Sequence, residues 1–131
     1  MWTTNVEPSV FARLKTYGEV LKTNFPDIVF TTENESDTIA KFPTVLLEEL
    51  GGAEQGRDLD GSTINAYLST FQITIAHNDK KYHVRNIMDN CMDTMKKLRF
   101  EMVGSPTFNR NQGVWMGVAR FRRTIGANDT L

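Results

Sequence analysis

A single cysteine, Cys91, stands in 131 residues, so no intramolecular disulfide can form, and no Cys or His lies at metal-ligand spacing from it. A reducing compartment suits such a chain. No apolar run approaches the roughly 20 residues that cross a bilayer. The segment Met1–Pro8 lacks the basic stretch, apolar stretch and small-residue cleavage site of a secretory signal. Neither membrane insertion nor secretion is expected. Four prolines and nine glycines are too few for a collagen-like or low-complexity chain.

What remains is 40% hydrophobic and 24% charged residues, the balance of an ordinary folded chain, and the length suits one domain spanning 1–131. The net charge of −1 conceals an asymmetry. Residues 1–65 carry five Lys or Arg against eleven Asp or Glu, a net of −6, and residues 66–131 carry ten against five, a net of +5. Two readings stand side by side: ordinary solvated charge, or an acidic and a basic face of the kind that head-to-tail rings use at heterologous contacts.

From Pro8 to Asn24 the apolar residues Val10, Phe11, Leu14, Tyr17, Val20 and Leu21 recur at spacings of three and four, which predicts an amphipathic helix on one face of a sheet. Pro8 suits its first turn, Pro26 stops it, and Gly18 leaves room for a close neighbour. Asp27–Thr32 reads as a short strand and 33–37 as a polar loop. Phe42–Leu50 reads as a second strand that Pro43 confines to a strand start or an edge, with a short helix as the alternative. The stretch Gly51–Ser62 has four glycines and alternating charges, and is expected to be a flexible loop, either partner-binding or a plain hairpin connection.

Between Ala66 and Ala76, Tyr67, Ser69, Phe71, Ile73 and Ile75 alternate with Thr70, Gln72 and Thr74, the pattern of a half-buried antiparallel strand. Tyr82–Phe100 places Val84, Ile87, Met88, Cys91, Met92, Met95 and Leu98 on one helical stripe, with Lys96, Lys97 and Arg99 complementing the dipole at its end. A strand broken at Gly104–Pro106, a turn at Arg110–Gly113 and a long strand over Val114–Ile125 follow. The tail, 126–131, is expected to be loose. The order predicts an α+β domain: an antiparallel or mixed sheet of about four or five strands with two main helices packed on it.

Catalytic constellations are sparse. His77 and His83 flank a turn with Asp79 between them, and that spacing alone lacks the further ligands a metal site needs. They read as polar turn and helix-start residues. Cys91 and the methionines Met88, Met92 and Met95 read as core. Glu48 and Glu49 point to opposite faces of their strand, and Asp58 and Asp60 lie on the loop, so neither pair sets two carboxylates for acid–base work. Gly51, Gly52 and Gly56 are followed by no Gly-Lys-Ser or Gly-Lys-Thr, so no phosphate loop is present.

No cofactor, metal or catalytic residue is therefore expected. A competing enzyme or ligand-binding reading would need a polar pocket around His77, His83 and Glu101. Arg110, Arg120, Arg122 and Arg123 stand near Phe108, Trp115 and Phe121, which raises three options: nucleic-acid contact, inter-subunit ion pairs, or a solvated face. A pI of about 6.1 argues against dedicated nucleic-acid binding.

Taken together, the N-terminal helix, the segment Phe42–Leu50, the strand Tyr67–Ile75, the helix Tyr82–Arg99 and the run Phe108–Arg122 resemble the tail terminator, or tail completion, proteins of long-tailed bacteriophages. The likeness covers nearly the whole chain and rests on order, size and texture, with no catalytic motif. It implies a structural virion protein, not an enzyme, assembled in the host cytoplasm and placed in the neck region of the tail. Its subunits would form a homohexameric ring that caps the tail tube, stops its polymerisation and offers a docking surface to the head connector. DNA would pass through that ring without sequence-specific binding. The alternative is a head-closure or head-tail adaptor protein of the same neck. Arg57, Asp58 and Asp60 in the loop and Arg120, Arg122 and Arg123 on the last strand are the candidate contacts to neighbouring subunits and partners.

Overall fold

The computed structural model describes residues 2–33, 42–55 and 66–126. A 3-10 turn over Trp2–Asn5 leads into helix α1 (Val6–Tyr17), which tightens into a 3-10 segment at Gly18–Thr23. Then come β1 (Val29–Thr31), β2 (Thr44–Gln55), β3 (Ala66–His77), helix α2 (Lys81–Lys97), β4 (Glu101–Met102), β5 (Thr107–Asn111) and β6 (Val114–Gly126). This is an α+β fold.

The strands form one mixed sheet in the order β1-β2-β3-β6-β4, with β5 also paired to β6. Only β1 and β2 run parallel; the other pairs are antiparallel. Met102 lies opposite Phe121 and Thr107 opposite Val118, so β4 and β5 share one edge of β6 and are interrupted between Val103 and Pro106. That is where Gly104–Pro106 predicts a break. β5 returns into β6 through Gln112 and Gly113, both with positive φ (51° and 79°), the two-residue turn whose twist matches a hairpin.

The helices lie together on one face. Val45 and Leu47 of β2, Phe71, Ile73 and Ile75 of β3, and Ala119, Phe121 and Ile125 of β6 point inward to meet Val6, Val10 and Leu14 of α1 and Val84, Ile87, Met88, Cys91 and Met95 of α2. Each such side chain taken from water contributes about 1.5–3 kcal/mol. The exposed Arg122–Glu101 pair at 3.9 Å cannot compete with that, so apolar burial selects the architecture. Small residues set its tightest approaches. A Cβ on Gly117 would lie 2.9 Å from Val84 Cγ1 and 3.0 Å from Phe108 Cε1, and one on Gly18 would lie 2.5 Å from Phe30 Cζ.

Several boundaries move. α1 begins two residues ahead of Pro8, which still sits in its first turn, and regular α-helix ends at Tyr17. Gly51–Gln55, expected as loop, continue β2 because a one-residue slip between Glu49 and Gly52 keeps that end of the strand paired to β3. Gly51, at φ 103°, supplies the slip, a conformation that side-chain-bearing residues rarely adopt. Gly126 ends β6 and so belongs to the sheet. The remainder of the expected loop, with Arg57, Asp58 and Asp60, and tail residues 127–131 lie outside the described residues. No helix among the described residues is long and apolar enough to cross a membrane.

Glu49 lies on the inward face of β2, opposite Phe71, and Tyr67 Oη donates to it over 3.5 Å. Burial, reinforced by Glu7 nearby on α1, pushes its carboxyl above the ordinary 4.5. A carboxyl raised in this way opposes folding while ionised, and the opposition fades as pH falls through the folded value. Glu49→Gln should therefore be more stable than the parent at pH 7, with the gap closing as the pH is lowered towards 4.5, as read from urea melts at both pH values. Gly117→Val should cost about 1–3 kcal/mol, because Val84 and Phe108 must both give way, and the same melts will measure it.

Candidate functional site

The basic residues of β6 divide between its two faces. Arg120 and Arg122 point outward, away from the helices, and are exposed. Arg120 Nε donates to Gln72 Oε1 at 3.0 Å, while Arg122 Nε stands 3.9 Å from Glu101 Oε2. Arg123 is half-buried on the helix side and donates through its guanidinium to the Leu98 carbonyl at 2.8 Å. It closes the C-terminus of α2, where carbonyls lack helical partners and a cation is favoured. The three arginines that the sequence groups together are thus two surface residues and one structural cap. Arg110 also faces the helix side, its guanidinium 6.0 Å from the Trp115 ring centroid.

Among the described residues no helix covers the outward side of the sheet, which presents cross-strand rows. Glu48, Gln72 and Arg120 align across β2, β3 and β6, so that row runs from acid through amide to base. Thr70, Arg122 and Glu101 form the next row. Gln72 accepts from Arg120 and donates to Thr74 Oγ1 at 3.4 Å, which holds the amide in place between the two charges.

A second feature lies where β3 meets α2. An open cleft of about 540 Å³ is bounded by Phe25 and Asp27, by Phe42 and Pro43 ahead of β2, by His77 and Asp79, and by Tyr82, His83 and Asn86 of α2. Its floor is aromatic: Phe25 meets His77 edge-on at 5.8 Å and His83 at 5.3 Å, and Tyr82 lies 4.3 Å from His83. His77 is only 8% exposed. Burial, and then the neighbouring His83, hold its pKa below the ordinary 6.5, with Asp79 pulling the other way, so the ring is neutral at pH 7.

His83 Nδ1 is 3.4 Å from Asp79 Oδ2 but is not aligned for a hydrogen bond. The Nδ1 atoms of His77 and His83 are both buried without a hydrogen-bond partner. One ligand atom from each of His77, Asp79 and His83 can be chosen so that all lie within 4.8 Å, the one such triple among the described residues. Glu101, which the pocket reading would need, does not join them. It pairs with Arg122, whose partner on β3 is Thr70, seven residues along the strand from His77.

Cys91 is wholly buried and its thiol is pushed up to about 12, which leaves it inert as a nucleophile. The contacts that spacing did not reveal are the Arg123 cap and the meeting of His83 with His77, and both depend on where α2 lands on the sheet. No protein-family model matches the chain, and no curated protein matches it significantly.

The split among the arginines is measurable. Arg123→Ala should lower unfolding stability by about 1–2 kcal/mol, the worth of a charged hydrogen bond lost at a helix end, whereas Arg120→Ala should change it by less than about 0.5 kcal/mol. Urea denaturation of the two variants side by side checks this. Equal effects would mean that Arg123 does not act as a cap.

Proposed function

We propose that the protein is a ring-forming structural subunit of a long-tailed phage, a tail terminator that caps the tail tube, halts its growth and offers the head connector a docking surface. The observation that carries this reading is the one-sided architecture. Both helices cover one face of the sheet, and the other face presents a row from Glu48 through Gln72 to Arg120. A subunit with acid at one side of a face and base at the other can join head to tail, and a closing rotation turns such contacts into a ring. The role requires binding surfaces and no catalysis. The resemblance of the chain's order and texture to tail terminators supports the same reading.

Light scattering of the purified protein, alone and mixed with its tube protein, tests it. A closed hexamer, or a monomer that assembles on the tube and fixes its length, is expected. Arg120→Glu combined with Arg122→Glu should leave the monomer folded and abolish that assembly. Rings that form without limiting tube length would reassign the protein to the head-closure or adaptor side of the neck. A monomer that neither assembles nor alters tube length overturns the ring altogether.

A further inference from the structure

The ring reading makes no use of the cluster formed by His77, Asp79 and His83. We propose that these three residues bind a single Zn²⁺-class transition-metal ion through two imidazoles and one carboxylate, with the fourth position open to the cleft. The donor set decides the class of ion: neutral nitrogen ligands suit Zn²⁺, Co²⁺ or Ni²⁺, whereas Mg²⁺ and Ca²⁺ favour all-oxygen sites. The geometry supplies the rest. Ligand atoms from the three side chains already lie within 4.8 Å of one another, so small rotations of exposed Asp79 and half-buried His83 close the site around the buried His77.

Phe25 packs against both imidazoles and Tyr82 against His83, but the two buried Nδ1 atoms have no hydrogen-bond partner. Buried polar atoms in folded proteins nearly always have a partner, and two orphans beside a carboxylate share one simple remedy. His77 ends β3, Asp79 lies in the connection and His83 lies in the first turn of α2. A bound ion would therefore tie the start of α2, which has no side-chain cap, to the end of the central strand. The nearby ammonium groups are turned to aromatic faces, Lys80 to Tyr82 at 5.8 Å and Lys81 to Trp115 at 5.5 Å. Cys91 is eight residues further along α2, roughly 12 Å up the helix from His83, and contributes no thiolate.

Titration of the untagged, metal-free full chain with Co²⁺ and then Zn²⁺ tests the site. The expected result is one ion per chain, with visible Co²⁺ bands, no thiolate charge-transfer band in the near ultraviolet, and displacement by Zn²⁺. Zn²⁺ at 100 times its Kd should move the folding equilibrium about 100-fold towards the native state. Asp79→Asn and His83→Gln should each weaken binding at least about tenfold. Both alter residues outside the fully buried core, and melts in chelator confirm that the variants fold. Absence of saturable binding below millimolar metal, affinity unchanged from the parent in both variants, or displacement of Co²⁺ by equimolar Mg²⁺ would each overturn the proposal. The readout needs neither ring nor tube, so the site and the assembly role stand or fall separately.

Discussion

The contact between the apolar stripe of α2 and the inward residues of β3 and β6 is where the rest of the structure originates. Val84 reaches the sheet only because position 117 has no side chain, and Phe100, just past the helix, meets Phe71 edge-on with ring centroids 5.7 Å apart. Once that helix is seated, the two ends of the sheet acquire different characters. Its N-terminus carries His83 to the end of β3 beside His77, and its C-terminus presents the Leu98 carbonyl to Arg123. α1 adds Val6, Val10 and Leu14 to the same core, so that among the described residues neither helix covers the outward face of the sheet.

Such one-sided burial has a functional corollary. A sheet with one face committed to the core offers the other as a flat, register-ordered surface, and cross-strand pairing turns single residues into rows. Isolated surface charges contribute little to a fold. Rows such as Glu48–Gln72–Arg120 would gain their value in the association proposed above, where complementary charge selects and orients a partner. The cleft at the other end is lined differently, with buried ring nitrogens, aromatic walls and the carboxylates of Asp27 and Asp79.

Much of the fold was legible because its elements are strongly periodic. The inward positions of β3 and β6 and the stripe of α2 follow from alternation and from three-four spacing, and the room required at Gly117 and Gly18 could be read from residue size alone. Legibility stopped where pairing overrides composition. Gly51–Gln55 look like loop, with two glycines and two polar residues, yet they remain in a strand because the neighbouring β3 offers hydrogen-bond partners along its whole length. Arg123 looks like a third member of a basic surface cluster, and strand alternation alone sends it inward; the carbonyl that receives it comes from a helix 25 residues earlier.

The sequence by itself determined the α+β class, the core-facing residues of β3, β6 and α2, and the burial of Cys91, since each depends on local periodicity or residue size. Tyr17 and Val20, expected on the buried stripe of the first helix, are exposed, and the turn expected over Arg110–Gly113 is confined to Gln112–Gly113 because Arg110 and Asn111 pair in β5. Only the tertiary structure decided which charged residues of different strands align in one row, that Glu101 stands apart from the histidines, and that His77, Asp79 and His83 converge. The physical reason is that periodicity specifies the side of an element on which a residue lies, whereas convergence depends on the angle and register at which elements meet. Those are set by long-range packing of α2 on the sheet.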